Sequence, residues 1–159
     1  MKTIYFLIFI AIIATSFGQN PPEQIAFDYF FEEIFTNEMN KRTKKIIFNG
    51  KSLGYTSGSV FGIDCIEEDK SFYLVENGFK EATSKISIND KFTKQFNKSR
   101  NSDRKIRSKL YIYNVFNFPN SNYSVILLLL KNLNTSGEAR FHIVIENDQV
   151  INWCVRHTI

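Results

Sequence analysis

The sequence has few of the residues from which metal and redox centres are built. Histidine and cysteine each occur twice in 159 residues, and tryptophan occurs once. A metal site needs several converging His, Cys or carboxylate ligands, and His142 and His157 show no metal-ligand spacing. No C-x-x-C pair and no glycine-rich phosphate loop is present. We therefore assign no catalytic residue, no metal and no cofactor from the sequence, which favours a binding protein over an enzyme.

The two cysteines, Cys65 and Cys154, allow one intramolecular disulfide. Export to an oxidising compartment favours that bridge, which closes a loop of about 90 residues and contributes on the order of 4 kcal/mol by chain-entropy arguments. The alternative is two separate buried thiols that behave as small apolar side chains. Both interpretations stay open, because the sequence does not tell whether the two Cα atoms lie within about 7 Å.

Long apolar runs are missing except at the beginning of the chain. Residues 1–18, MKTIYFLIFIAIIATSFG, place Lys2 before an apolar run and small residues before Gln19, which is typical of a secretory signal peptide. The apolar run is about 11 residues long, whereas a membrane-spanning helix needs about 20. We predict a cleaved signal peptide over 1–18, a single domain over 19–159 with no transmembrane segment, and a secreted or periplasmic location.

The clearest helical pattern lies in residues 23–38, where apolar side chains recur at three- and four-residue spacing. Asn20 offers a capping side chain before it, and Pro21 and Pro22 stand where no backbone N–H is needed. The pattern predicts an N-terminal amphipathic helix that packs its apolar stripe on a sheet. The stripe consists of Phe27, Phe30, Phe31, Ile34 and Phe35.

Several stretches after the helix predict strands and turns. Asn49-Gly50 lies between two apolar segments and predicts a two-residue hairpin. Asn89-Asp90 could cap a short helix in which Phe92 and Phe96 share a face. Residues 110–118 alternate, and residues 123–131 contain the continuous apolar run Val125–Leu130, as in a strand that is covered on both faces.

The last strands predict a hairpin around Asn147-Asp148. A two-residue turn would place His142 opposite Trp153, and a three-residue turn would place it opposite Cys154. The register stays open, although a slip of one residue exchanges the buried and exposed sides of a strand.

These elements predict an α+β fold in which one N-terminal helix packs on a mostly antiparallel, twisted sheet of five to seven strands. Cystatin-like and nuclear-transport-factor-like cone folds share this architecture. The comparison is an analogy of architecture alone, because no motif of either family is present.

The charge is concentrated in residues 91–109, KFTKQFNKSRNSDRKIRSK, which hold eight basic residues and one acid. The whole chain carries only +4, so the remainder is net acidic. Segregated positive charge attracts anions, but a polar run of this kind is also typical of a solvated loop. The candidate anion-binding residues are Lys91, Lys94, Lys98, Arg100, Arg104, Lys105, Arg107 and Lys109.

Two functions are therefore compatible with the sequence. The first is a small exported, non-catalytic protein that binds an anionic partner through residues 91–109. Export argues against nucleic acid and leaves an anionic polysaccharide, a glycolipid or an acidic protein. The alternative is a curved-sheet pocket for a small apolar ligand, with weak hydrolase- or isomerase-type chemistry. Its candidate lining residues are His142, Trp153, Tyr111 and Tyr113.

Overall fold

The structure of the protein is a computed structural model. It describes residues 20–39, 46–56, 60–62, 72–74, 79–80, 84–90, 96–97, 108–117 and 121–158. The predicted signal peptide, Cys65 and most of the basic run lie outside these residues.

The predicted helix is present, and it begins at Pro22 rather than at the amino terminus of the chain. Its first part, α1 (Pro22–Tyr29), is an α-helix, and its second part, π1 (Phe30–Met39), has the wider i→i+5 turn of a π-helix. Within π1 the Thr36 hydroxyl donates to the Phe31 carbonyl oxygen, five residues back, at 2.7 Å. No helix in the described part of the chain is both long and apolar enough to cross a membrane.

The expected capping side chain at the start of the helix is not used. The N-cap residue is Pro21, which has no side-chain hydrogen bond, and its carbonyl accepts the N–H groups of Gln24 and Ile25 at 2.8 and 3.2 Å. The side chains of the first helical turn instead bond to distant backbone. The Glu23 carboxylate, 3% exposed, accepts the N–H of Val115 at 2.8 Å. The Gln24 amide pairs with both backbone groups of Ser87, and these contacts anchor the helix start to the rest of the domain.

The described strands are β1 (Ile46–Ile47), β2 (Tyr55–Thr56), β3 (Val60–Gly62), β4 (Phe72–Leu74), β5 (Phe79–Lys80), β6 (Phe96–Asn97), β7 (Ser108–Ile112), β8 (Phe116–Asn117), β9 (Tyr123–Asn132), β10 (Glu138–Glu146) and β11 (Gln149–Thr158).

One seven-stranded, mostly antiparallel sheet packs against the helix. Six of its strands lie in the order β11-β10-β9-β7-β1-β6, and β8 also pairs with β9. The exceptions to antiparallel pairing are the contacts of β1 with β6 and with β7, which are parallel. Two smaller pairs, β2-β5 and β3-β4, lie outside this sheet.

The main core lies between the helix and the sheet. The five apolar side chains of the predicted stripe are all buried, and the ring of Phe30 meets that of Phe141 on β10 edge to face with 4.9 Å between centroids. Phe27 stacks on Phe48 at 5.3 Å. Aromatic contacts of this kind add about 0.5–1.5 kcal/mol per pair to the burial of area. The α+β class predicted from the sequence is therefore confirmed.

One of the local predictions is wrong, and a second is wrong at its last residue. Gly50 bends the chain with φ of +74°, but Ile46–Ile47 pairs with β6 and β7 and does not form a hairpin with residues 53–55. The chain after Gly50 instead pairs with residues 84–86. Of the short helix predicted after Asn89, Asp90 has 3₁₀-helical backbone, and residues 91–95 lie outside the described ranges. Phe96, expected in that helix, belongs to strand β6 and pairs with Ile46. Tertiary pairing overrides local turn and helix preferences in both places.

The predicted hairpin at Asn147-Asp148 is present, with φ of 49° and 60° at the two turn residues, as a type I′ turn requires. The pairing changes between Val144, which faces Asn152, and Ile145, which faces Val150. Ile151 is therefore the extra residue of a β-bulge. As a result a two-residue turn places His142 opposite Cys154, a combination that the sequence had not predicted.

Candidate functional site

The sheet has two faces with different surroundings. The proximal face packs on the helix and includes Leu110, Leu128, Phe141 and Ile143, all buried in the main core. The distal face is formed by the alternate residues of the same strands, because successive side chains of a strand point to opposite sides. The distal positions of the four strands include Lys109, Tyr111, Val125, Leu127, Leu129, Lys131, Glu138, Arg140, His142, Val144, Asn152, Cys154 and Arg156.

Four cations occupy facing positions at one end of the distal face. Lys109 on β7 lies directly opposite Lys131 on β9. Arg140 on β10 lies directly opposite Arg156 on β11. Lys131 and Arg140 are exposed, and Lys109 and Arg156 are half-buried. We call these four residues the cationic band, which crosses four adjacent strands.

Short contacts hold two side chains of the cationic band. The guanidinium of Arg140 donates from Nε and Nη2 to one carboxylate oxygen of Glu138, at 2.8 and 2.5 Å. The Arg140 side chain is still 49% exposed. The ammonium group of Lys109 lies over the ring of Tyr111, 4.7 Å from its centroid, in a cation–π contact. These contacts hold the Arg140 guanidinium and the Lys109 ammonium group in defined positions on the distal face.

The other end of the distal face is apolar. Phe116, Val125, Leu127 and Val144 form a second buried cluster, and the half-buried rings of Tyr55, Tyr113 and Tyr123 pack against it. Burial raises the pKa of the Tyr55 and Tyr113 phenols above 10.0. At Tyr113 the charge of Arg140 opposes this shift, and Glu138 and Tyr111 add to it, so this phenol shares the electrostatic field of the charged end.

The four residues of the predicted pocket do not converge on one space. Tyr111 and His142 occupy distal positions, and Tyr113 packs in the distal cluster. Trp153 pairs with Ile143 and packs against the main core on the other face. His142 is 3% exposed, and half-buried Cys154 faces it across the strands. Within the described ranges no group of three or more His, Cys, Asp or Glu side chains could hold a metal ion.

Only Lys109 among the eight predicted anion-binding residues belongs to the described part of the chain, so the prediction for residues 91–107 is not tested. Sequence reasoning missed Lys131, Arg140 and Arg156 because they are isolated in the sequence. The available signal was their alternation with apolar residues on predicted strands. That signal needs the strand register before it places the cations together.

The pentapeptide Gly50–Gly54, GKSLG, has the G-x-S-x-G spacing of a hydrolase nucleophile elbow. Its surroundings do not fit that function. Ser52 is 1% exposed, its hydroxyl hydrogen-bonds Asn114 Oδ1 and accepts the N–H of Ser84, and no helix follows the motif directly. Such an elbow needs a strand-turn-helix with an exposed hydroxyl, so Ser52 is a structural residue.

A polar cleft of about 350 Å³ lies beside the helix start. Gln24 and Asp28 line it from the helix, and Lys85, Ser87 and Asn89 line it from the facing segment. The side-chain amide of Gln24 forms hydrogen bonds with the Asp28 carboxylate and with the backbone of Ser87. The polar groups at the base of the cleft thus stabilise the helix anchor.

No protein-family model, no curated protein and no solved structure matches this chain. The distal face must therefore be interpreted from its own chemistry.

Proposed function

We propose that this chain is a small exported, non-catalytic protein that binds an anionic ligand through the cationic band. The band supplies Arg140 and Arg156, whose planar guanidinium groups suit carboxylate, sulfate and phosphate, together with Lys109 and Lys131. Lys109 is the last residue of the basic run 91–109, and the run therefore joins the band at the start of β7. In this proposal the other cations of the run also bind the ligand.

The observation that carries the proposal is the direct opposition of like charges in two cross-strand pairs. Like charges that face each other across a pair of strands destabilise a sheet, whereas opposite charges stabilise it. Within this cluster the Glu138 carboxylate bonds to Arg140. An anion bound over the band reduces the repulsion between these cations. We therefore expect anion binding to stabilise the folded sheet.

The experiment is the retention of the full chain on a heparin matrix in a salt gradient. The double variants Lys109→Gln/Lys131→Gln and Arg140→Gln/Arg156→Gln remove one cross-strand pair each. The matched control is Lys51→Gln/Lys85→Gln, which removes two exposed lysines that also face each other in an isolated bridge. All three variants lose the same charge, so a difference between them reports the location of the charge.

We expect both band variants to elute at clearly lower salt than the wild type, and the control to elute close to it. Equal shifts in all three variants would show that net charge alone governs retention and would overturn the proposal. Circular dichroism of each variant verifies that the sheet is intact.

We further propose that residues 1–18 are removed on export and that Cys154 is bridged to Cys65. The described residues contain no free cysteine, which supports the bridge. Cys154 occupies a distal position on β11. Mass spectrometry of the protein from its native host, before and after reduction, tests both statements. An intact Met1, or two alkylatable thiols without reductant, would contradict them.

A further inference from the structure

The cationic band is a line of charges and does not surround a single point. Its four residues lie on β7, β9, β10 and β11, which are neighbours in the sheet. Strands are spaced by about 4.8 Å, so the band extends about 14 Å across them. Along the strands, the two arginines lie two residues away from the position of the two lysines. Lys131 faces Glu138, and Arg140, two residues further along β10, faces Leu129. A diagonal line of this kind matches a ligand that repeats its negative charge.

We infer that the ligand of the band is an acidic polysaccharide, a chain of sulfated or uronic acid sugars. This inference rests on the proposed anion-binding function and specifies its ligand class. Such a glycan carries an anionic group on most sugar units, so its charges recur at intervals on the order of the strand spacing of about 4.8 Å. Arg140 uses two of its five N–H donors on Glu138, and the others can bind a carboxylate or sulfate.

Other anionic partners fit the distal face less well. Single-stranded nucleic acid is bound by stacking bases on open aromatic rings. Here Lys109 lies over the Tyr111 ring, and Tyr113 packs in the apolar cluster. A lipid surface requires apolar side chains beside the cations. The large apolar side chains that the structure shows as exposed are Leu133 and Ile151, close to opposite ends of β10.

The test is a titration of the full chain with size-defined heparin fragments, from disaccharide to octasaccharide. We expect the affinity to rise by about 1.5- to 5-fold with each added anion, the size expected for one exposed ion pair. The affinity should level off near the tetrasaccharide, which covers the length of the band. Lys109→Gln and Arg156→Gln remove the cations at the two ends of the band. In each variant the affinity should stop rising at a shorter fragment than in the wild type. Lys85→Gln, outside the band, should leave it unchanged.

Three competitors of matched total charge separate the ligand classes. The competitors are inorganic sulfate, oligoglutamate and oligothymidylate. Each should displace the octasaccharide at least about tenfold less effectively than unlabelled octasaccharide does. The reason is that none of them combines several linked anionic groups with the charge spacing of the glycan. If one of them competes equally well, or if affinity does not depend on fragment length, the polysaccharide inference is wrong while anion binding by the band stands. If the wild type binds none of the probes, anion binding itself is wrong.

Discussion

The proximal and distal faces belong to the same four strands but meet different surroundings. On the proximal face, most side chains of β7, β9 and β10 are apolar and lie in the main core under the aromatic stripe of the helix. On the distal face, the same strands change from a buried apolar cluster at one end to the cationic band at the other. The proximal face therefore supplies most of the apolar burial, while the distal face holds charges that stability alone does not favour.

This contrast separates the stability of the domain from its recognition properties. Removing a proximal side chain leaves a cavity in a close-packed core, which costs stability. Removing a charged distal side chain changes the field at the surface and costs little stability. The following predictions test that separation, beginning with the largest effect.

Phe30→Ala should produce the largest loss of stability, about 3–5 kcal/mol, because it empties the centre of the proximal core. The Phe30 ring is fully buried and contacts the rings of Phe31, Phe35 and Phe141. The matched distal variant is Leu129→Ala, a half-buried position, which should cost less than half as much. Urea unfolding followed by circular dichroism measures both. Equal losses would show that the two faces do not differ in this way.

Insertion of one alanine between Asn152 and Trp153 should cost about 2–3 kcal/mol because it shifts the rest of β11 by one residue. Trp153 and Val155 would leave the proximal face, and Cys154 and Arg156 would turn toward the helix. Deletion of Ile151 serves as the control, because it removes the bulge residue and keeps Asn152 opposite Val144 and Trp153 opposite Ile143. Thermal unfolding and tryptophan fluorescence report the change. An unchanged emission maximum in the insertion variant would contradict the assigned register.

Glu138→Gln should strengthen binding to heparin by about 1.5- to 5-fold, since it removes the carboxylate that neutralises Arg140. The control is Glu146→Gln, an identical charge change at the other end of β10. The salt concentration at elution measures both variants. If both variants eluted at the same salt concentration, the position of the removed carboxylate would not matter, and the prediction would be wrong.

Tyr113→Phe should produce the smallest effect, visible only in alkaline solution. Burial raises the pKa of the Tyr113 phenol above 10.0, so the folded state holds this proton more tightly than the unfolded state does. The wild type therefore loses stability as pH rises from about 10 through the folded-state pKa. The variant lacks this phenol and should lose less over the same interval. Thermal unfolding between about pH 9 and pH 11 tests the difference, and parallel curves would contradict it.

Local pattern was sufficient for the elements with strong periodicity. The Phe stripe of the helix, the continuous burial of residues 125–128 and the turn at Asn147-Asp148 were all predictable, because the side chains repeat with the period of the element. The Asn49-Gly50 hairpin failed for the opposite reason. Its flanking segments are short, and each finds a more distant strand to pair with. The widening of the helix after Tyr29 also has no local signal in the residue pattern.

The candidate site depended on tertiary structure to a much greater degree. The sequence directed attention to residues 91–109 because their charges are adjacent in the chain, whereas three of the four band residues are separated from that run. Lys131 and Arg140 come together because β9 and β10 pair. Arg156 reaches the same face only because the bulge at Ile151 shifts the register of β11.

The sequence by itself determined which segments are helix and strand at the two ends of the domain and which of their side chains are apolar, because these properties follow from spacing along the chain. Tertiary structure alone decided which strands are neighbours, in which register they pair, and on which face Cys154, Trp153 and Arg156 lie. The physical reason is that strand pairing is a long-range contact with a side-chain period of two residues. A single extra residue therefore reverses the face of every side chain beyond it.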